Sequence, residues 1–430
     1  MKLVFKTHRA EFESGEETYF VVDDETRFPL EYPVLYAMNK LRKKGDAANT
    51  IQAKMSAIAI LYSWGKSSEI DIHERIRNKD FFDEGEIEDL SDFCWIKFKL
   101  NKNDTVTKIL TTKVITENGS RKKNKIKTIR KIETPSVRSQ THYQRLTYIA
   151  PYLKWLSVRL LNKDGGKYRH EVQEMVDAIN GCRPSRGRSA SFNPKSIEKE
   201  DIEKLYSYVN ADASINPFKS KGNDARKEKS IRVRNELMFA MLHKLGLRVG
   251  ELCGLKMKDL HLSGNDGVVN IYRRPTDSAD TRKKRAQVKT EARDLPINGK
   301  LAKAINDYVT KYRLKVKNSR KSEFLFVTHE KAKTPKGSPI TMDAVRKIFN
   351  ELSKVTDIHI TPHKLRHTWN DDFSEMADKE GMSEEREMSL RRYLMGWSEK
   401  SKMPEYYAKR HIIRKANNAM IKLQNKNTLS

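Results

Sequence analysis

Apolar residues recur at helical spacing through most of the chain, and short strand-like runs interrupt that pattern in a few places. The first runs are residues 3–5 and 19–22, which Gly15 separates, so a small hairpin is predicted within residues 1–30. This N-terminal segment is expected to be either a strand-like arm or a cap on the domain that follows.

Residues 31–180 carry a helical pattern with one long interruption. Helices are predicted over residues 34–44, 50–64, 142–161 and 168–179, where apolar positions are three or four apart. The interruption, residues 97–139, is rich in Lys, Thr and Asn. It is either a basic insertion that lies on a phosphate backbone or a solvated loop, and the pattern does not choose between them.

A linker is predicted over residues 181–195, because this stretch combines two glycines, two prolines and three arginines and has no periodicity. The remaining residues, 196–430, return to helical spacing with a few strand-like runs. The sequence therefore predicts a mostly α fold with a small β-sheet. Strands are predicted at 267–272, 293–297 and 324–327, and helices at 232–247, 299–313, 341–355, 364–379, 384–395 and 409–424, after a capped helix start at 196–203.

The net charge of the chain indicates what kind of partner it binds. The 430 residues include 85 Lys and Arg against 57 Asp and Glu, a net charge of +28, which predicts a polyanionic partner such as nucleic acid. A generally basic ribosome-associated or membrane-surface protein is the alternative. Because no apolar run has the length of a membrane span and no signal peptide opens the chain, a soluble, cytoplasmic, nucleoid-associated protein is expected.

The three cysteines, Cys94, Cys182 and Cys253, lie far apart and form no C-x-x-C pair. Neither a zinc finger nor a disulfide framework is therefore predicted. Cys253 lies in an apolar helical stretch and is expected to be a buried small hydrophobe.

Candidate chemistry is concentrated in residues 361–369. Thr361 can cap a helix whose first turn contains Pro362, and a spacing of three then puts His363 and Arg366 on one face. A guanidinium can hold two phosphate oxygens, and an imidazole can exchange a proton near neutral pH. Alone, the pattern is also typical of a solvated helix face.

Four further signals accompany that stretch in the second half of the chain. Each has an ordinary structural alternative: a surface ion pair, a basic surface lysine, a core tryptophan and a packing tyrosine. They are Arg248 with Glu251 in an apolar segment, Lys289 in a predicted hairpin, Trp397 after Gly396, and the pair Tyr406 and Tyr407.

In this order the residues resemble the tyrosine recombinase, or phage integrase, family. The family pattern is an Arg in a G-x-R-x-x-E-L context, a Lys on a β-hairpin, H-x-x-R-H, a G-H or G-W pair, and a nucleophilic Tyr. The resemblance covers residues 190–425 and implies a family catalytic domain of α+β type over residues 196–430, with an exchange helix near 409–424. Residues 31–180 resemble the family's helical core-binding domain only loosely.

The tyrosine departs from the family pattern. The usual spacing of nine after the His or Trp position selects Tyr406, whereas the local similarity of residues 401–408 to K-M-x-E-R-Y-A selects Tyr407 with a one-residue insertion. Tyr407 is preferred here, and Tyr406 remains the alternative.

The resemblance implies a site-specific recombinase that cleaves and rejoins double-stranded DNA through a 3′-phosphotyrosine. Tyr407 would attack the phosphodiester, and His363 would help to take its proton. His367 is expected to play a supporting role. The implied ligands of the phosphate are Arg248, Arg366 and Trp397, and the implied acid for the leaving 5′-oxygen is Lys289.

The family acts as a homotetramer on two synapsed sites, without a cofactor or a metal, and accessory recombinases or factors can take part. Two rivals stay open. One is a catalytically silent DNA-binding regulator or accessory factor of the same fold, and the other is a type IB topoisomerase.

Overall fold

The structure is a computed structural model. It describes residues 3–13, 16–98, 136–162, 166–185, 196–211, 218, 225–263, 266–274, 277, 279–282, 285–286, 288, 290–329 and 335–426. The chain forms two compact units, Met1–Ala190 and Ser191–Ser430. The division falls within the predicted linker, of which residues 186–195 lie outside the described ranges. The functional assignments of the two halves remain predictions.

The first unit begins with the β-hairpin that the alternating pattern predicts. Strand β1 (Phe5–Glu11) pairs antiparallel with β2 (Glu17–Asp23), and Phe5 lies opposite Asp23. Its buried side packs on helix α2 (Ala48–Ser67), and the Phe5 N–H donates to the Ser63 hydroxyl at 3.2 Å. The hairpin is therefore a cover on the helices of its own unit.

The other helices of the first unit are α1 (Glu31–Tyr36), which continues as a π-helical turn over Ala37–Arg42, α3 (Ile72–Arg77), α4 (Glu84–Trp95), α5 (Ser139–Leu161) and α6 (Arg169–Gly181). Helices α3 and α4 escaped the sequence prediction, because α3 is short and polar residues cover much of α4. Asp71 and Asp83 start them, each with a carboxylate that accepts backbone N–H groups of the first turn. Most of the basic segment 97–139, namely residues 99–135, lies outside the described ranges.

Helices α2 and α5 form the centre of this unit's core. Trp64 of α2 is fully buried, and its indole N–H donates to Asp89 at 2.8 Å. Leu153 and Leu156 of α5 are also fully buried. The stripes that predicted these two helices are thus the surfaces along which they pack.

The second unit combines helices with one small sheet, as predicted. The sheet is antiparallel in the order β3 (Leu260–Ser263), β4 (Asp266–Ile271), β5 (Arg293–Asn298). The helices are α7 (Lys199–Val209), α8 (Ala225–Lys244), α9 (Val249–Gly254), α10 (Gly299–Asp307), α11 (Met342–Thr356), α12 (Pro362–Lys379), α13 (Glu384–Met395) and α14 (Met403–Lys426).

Three local predictions for this unit were wrong. Residues 324–327 form only single bridges, from Phe324 to Lys256 and from Val327 to Pro339, so their apolar run reflects burial and not a strand. Helix α8 ends at Lys244 and not at 247, because the chain turns at Gly246, whose φ is +58°. Helix α14 begins at Met403 and not at 409, so it contains both candidate tyrosines.

Candidate active site

The N-terminal turn of α12 forms as its sequence predicts. The Thr361 hydroxyl accepts the Lys364 N–H at 3.2 Å, and Pro362 lies in the first turn. This turn directs Arg366 and His367 inward, where both are buried, and leaves His363 exposed. The two residues thus differ in burial: Arg366 lies inside the protein, whereas His363 is at the surface.

Arg366 connects three parts of the second unit. Its side chain is 2% exposed, and it donates to the Gly246 carbonyl at 2.6 Å and to the Met395 carbonyl at 2.9 Å. Gly246 follows α8 and Met395 ends α13, so these bonds fix the guanidinium relative to both helices. Burial and the neighbouring Arg248 lower the pKa of Arg366 to about 9, which still leaves it charged at neutral pH.

Arg248 and Glu251 are joined at the start of α9. The Glu251 carboxylate accepts the Arg248 N–H at 2.9 Å, and the Arg248 guanidinium lies 3.5 Å from the same carboxylate. Glu251 is buried, whereas the Arg248 side chain keeps 34% of its surface exposed. Arg248 can therefore contact a bound anion while its partner stays inside the protein.

Glu251 is the hub of a buried polar cluster. It accepts bonds from Arg293 at 2.9 Å and from the Thr290 hydroxyl at 2.5 Å, and Arg366 lies 3.8 Å away. Burial alone would raise the pKa of Glu251, but the Arg293 and Arg366 charges and the hydrogen bonds hold it below its usual value. The carboxylate is therefore ionised and orients the cations around it.

Gly396 allows this cluster to close. Its φ is +60°, and a Cβ there would lie 2.7 Å from an Arg293 nitrogen and 2.9 Å from the Glu291 carbonyl oxygen. The Glu291 N–H donates to the Gly396 carbonyl at 3.0 Å. The glycine of the Gly-Trp pair thus brings the end of α13 against the residues that precede β5.

Trp397 lies between the cations and the tyrosine. Its ring stacks on Tyr407 with centroids 5.6 Å apart and an angle of 12°, and the Arg366 guanidinium carbon lies 5.8 Å from the indole centroid. The indole N–H is buried and has no acceptor within the described part of the chain. A buried donor without a partner is uncommon and is suited to an acceptor that arrives with a ligand.

Tyr407 lies in the first turns of α14 and is 2% exposed. Its hydroxyl is 2.7 Å from His367 Nδ1. Burial raises the pKa of Tyr407 to about 12, although Arg366 and Arg410 oppose that shift. Tyr406 is half-buried and meets the Tyr407 ring edge-on at 5.2 Å.

The electrostatic influence of Tyr407 reaches both arginines of the cluster. Burial lowers the pKa of Arg248 and of Arg366, and Tyr407 opposes the shift in each. The three groups are also linked by contacts, since Tyr407 and Arg366 share the Trp397 ring and Arg366 and Arg248 share Glu251. This grouping supports Tyr407 over Tyr406 as the reactive tyrosine, a choice that stays a proposal.

Lys289 and His363 are the two remaining residues that the sequence predicts to take part. Lys289 lies outside the described residues, and its assignment stays a prediction from sequence. The exposed His363 ring lies 4.4 Å from the His367 ring, but the nitrogen that meets the Tyr407 hydroxyl belongs to His367. The resemblance implied that His363 would help to take the tyrosine proton, and that role stays a prediction.

Sequence reasoning missed several residues that complete the cluster. Arg293 has no local signature, because its partner Glu251 lies 42 positions earlier. Arg391 is fully buried near Tyr407, with its guanidinium carbon 5.9 Å from that ring, and it bonds to Ser374 and Glu387. Arg410 lies three residues after Tyr407, and this helical spacing was the one available signal.

The site is built from cations, one carboxylate, imidazoles and a phenol. Across the described ranges, no group of three or more His, Cys, Asp or Glu side chains could hold a metal ion. None of the described helices is both long and apolar enough to cross a membrane.

These features define a protein with a mostly helical domain and a cationic site around a buried tyrosine. The family model described as "Phage integrase family" matches residues 195–411, which is half of the chain and contains the whole site. The chain belongs to the phage integrase family.

Known relatives match less than half of the chain. The chain is 26% identical over 178 residues to "Tyrosine recombinase XerD" of Halalkalibacterium halodurans, covering 41% of this chain and 47% of that protein. It is 26% identical over 176 residues to "Tyrosine recombinase XerA" of Pyrococcus furiosus, covering 41% and 46%. The chain thus spans about half the length of these relatives.

Two solved structures are also similar. A XerH site-specific recombinase bound to palindromic difH substrate, in a post-cleavage complex, matches with a TM-score of 0.38 and 15% identity over 66% of this chain and 82% of that chain. A lambda integrase dimer bound to a COC′ core site matches with a TM-score of 0.32 and 12% identity over 93% of each chain.

Proposed function

We propose that the chain is a site-specific DNA recombinase that cleaves and rejoins strands through a 3′-phosphotyrosine intermediate. The observation that carries this proposal is one connected set of contacts: Glu251 joins Arg248 and Arg366, Arg366 lies on the Trp397 ring, and that ring stacks on Tyr407. Two fixed cations, a free indole donor and a phenol in one site match the needs of phosphoryl transfer to a tyrosine.

The two arginines would bind the non-bridging oxygens of the scissile phosphate. Arg366 has five N–H donors, and its two bonds to the Gly246 and Met395 carbonyls leave donors available for substrate. Those bonds also fix its orientation before substrate arrives. Arg248 would contact the phosphate through its exposed surface, and the Trp397 indole N–H would donate to another phosphate oxygen. Such fixed donors stabilise the charge that develops in the transition state without reorganisation.

The chemical step would be an attack by the Tyr407 oxygen on phosphorus. The bond from phosphorus to the 5′-oxygen breaks as the bond to the tyrosine forms, and the 5′-oxygen takes a proton, for which Lys289 is the proposed acid. The reverse attack by a 5′-hydroxyl rejoins the strand and frees the tyrosine. The phosphotyrosine conserves the bond energy, so the cycle needs no cofactor.

Double-stranded DNA is the proposed substrate, at specific sites and within the nucleoid. The net charge of +28 supports a large phosphate-contacting surface. We further propose a homotetramer on two synapsed sites, with α14 as the exchanged element. Exposed apolar residues on the outer part of α14 support this, namely Ile412, Ile413, Met420, Ile421 and Leu423.

The test is a covalent trap. The purified chain is incubated with nicked duplexes tiled across the DNA that flanks its own gene, and products are resolved on a denaturing gel. An adduct that Tyr407→Phe abolishes is expected. The matched control, Tyr393→Phe, alters an exposed tyrosine of α13 and should leave the adduct intact. Tight binding without an adduct would contradict the proposal and favour the silent DNA-binding regulator.

A further inference from the structure

The Tyr407 hydroxyl must lose its proton before or during attack, and its surroundings do not ionise it. Burial dominates over the nearby Arg366 and Arg410 charges, and the pKa of Tyr407 rises to about 12. At neutral pH only on the order of one molecule in 10⁵ would carry the phenolate. A general base in contact with this hydroxyl would remove that limitation.

One described side chain is in hydrogen-bond contact with the hydroxyl. His367 Nδ1 lies 2.7 Å from the Tyr407 oxygen, within the range for proton transfer. The imidazole is buried on α12, and the bond spans from α12 to α14. The exposed His363, one turn earlier, touches the His367 ring at 4.4 Å.

Arg410 indicates which form of His367 is present. Its Nη1 lies 3.2 Å from the same Nδ1 atom. A guanidinium has only donors, so this contact is a hydrogen bond when Nδ1 carries the lone pair and the imidazole proton is on Nε2. Arg410 is held in turn by Asp371 at 2.8 Å and by the Ser196 hydroxyl at 3.2 Å. Nδ1 is therefore presented to the tyrosine as an acceptor.

We propose that His367 is the catalytic base for Tyr407, an assignment that rests on the proposed recombinase function. Its Nδ1 takes the hydroxyl proton while the tyrosine oxygen forms its bond to phosphorus and the 5′-oxygen departs. In rejoining, the imidazolium returns this proton to the tyrosine oxygen as the 5′-hydroxyl attacks. His363 is then left for the substrate side of the site, where its ring is exposed.

The experiment compares the full-length chain with His367→Gln, His363→Gln and the exposed-residue control His359→Gln. The rate of adduct formation on the nicked duplexes is measured in a single turnover, after circular dichroism has shown equal folding. His367→Gln is expected to slow adduct formation by about 10²-fold or more. His359→Gln should match the wild type.

Chemical rescue separates a base from a structural support. Replacing Tyr407 with 3-fluorotyrosine lowers the phenol pKa and should accelerate His367→Gln much more than it accelerates the wild type or His363→Gln. The rate of His367→Gln should also rise with pH up to the alkaline limit of stability, whereas the wild-type rate levels off. Among the described groups, Tyr407 and Arg410 from α14 and His363 from α12 contact His367, and Asp371 acts on it through Arg410, so these groups shape the profile.

Three results would overturn the assignment while leaving the recombinase proposal intact. In the first, His367→Gln forms the adduct as fast as the wild type. In the second, it forms the adduct faster, which would mean that the hydrogen bond only restrains the tyrosine before reaction. In the third, it forms the adduct slowly and 3-fluorotyrosine does not accelerate it. A wild-type chain that forms no adduct would instead remove the proposed function, and the role of His367 with it.

Discussion

At the scale of single residues, the site depends on one buried carboxylate. Glu251 accepts from the Arg248 backbone, Thr290 and Arg293, and it lies close to Arg366. Arg293 and Glu251 both have fully buried side chains. Removing the carboxylate charge would leave buried cations without their counter-charge, which costs far more than losing a surface ion pair.

Glu251→Gln is therefore expected to destabilise the protein by about 3 kcal/mol or more. Urea unfolding followed by circular dichroism measures this. The control, Asp343→Asn, breaks an exposed pair with Arg346 and should change stability by less than about 1 kcal/mol. If both substitutions lowered the free energy of unfolding equally, the Glu251 carboxylate would not be the counter-charge that stabilises the buried cations.

The pH dependence of the stabilisation by Glu251 follows from the direction in which folding shifts the pKa of this carboxylate. The pKa of Glu251 is lowered in the folded chain by the neighbouring cations against the effect of burial. Its stabilisation is thus complete above the ordinary Glu pKa and is lost as pH falls through the lower folded value. Glu251→Gln should accordingly lose less stability on acidification than the wild type.

The sequence could identify residue types at the site but not the direction in which each side chain points. Arg248, Arg366 and Trp397 follow from local motifs, and all three lie in the cluster. His363 and His367 share one helical turn, and only the packing of α14 shows which ring meets Tyr407. Arg293 had no signal, because its bond to Glu251 depends on a long-range contact between β5 and α9.

At the scale of elements, α14 is attached to α12 by a ladder of ion pairs. Arg410 meets Asp371 at 2.8 Å, and Lys415 and His411 meet Asp378 at 3.0 and 2.6 Å. Arg414 bonds to Glu375 further along the same pair of helices. Because Tyr407 is on α14 and His367 is on α12, this ladder sets the distance between them.

Arg410→Ala should loosen α14. It removes a partly buried, charge-assisted bond, which contributes about 1.5 kcal/mol or more, so backbone amides of α14 should exchange about tenfold faster. Hydrogen exchange with mass spectrometry measures this effect. The control Arg346→Ala should leave α14 exchange unchanged. Unchanged exchange in Arg410→Ala would mean that the ladder does not hold the helix.

The limits of the elements were harder to predict than their existence. The apolar stripes of α2, α5 and α11 match their packed faces. On α13 the buried face consists of Glu387, Arg391 and Met395, whereas the apolar Leu390 and Tyr393 are exposed. Helix α14 starts earlier than predicted because its first turn already has an apolar side, formed by Met403 and Tyr407, which pack with Trp397. The run at 324–327 shows that full burial removes the alternation by which a strand is distinguished.

At the scale of the whole molecule, each unit has its own apolar core. The first is centred on α2 and α5, and the second on α8, α11 and α12. The proposed active site lies entirely in the second unit, as does the family match. The excess of basic residues is a property of the whole chain, so the sequence alone shows it.

That charge predicts binding to duplex DNA that weakens steeply with salt. A protein that contacts roughly six to ten phosphates loses about 10³-fold or more in affinity between about 50 and 200 mM salt. Fluorescence anisotropy with an arbitrary labelled duplex measures the slope. Affinity that hardly changes over this range would show that the net charge of +28 is not used to bind phosphates.

The central claim is that Tyr407 carries the DNA, and mapping the adduct tests it most directly. The trapped complex is digested with nuclease and trypsin, and the peptide of residues 403–409, which contains both tyrosines, is fragmented in a mass spectrometer. A nucleotide mass on Tyr407 is the expected result. The same mass on Tyr406 would mean that the buried tyrosine is structural, and a peptide without it would contradict covalent catalysis by this chain.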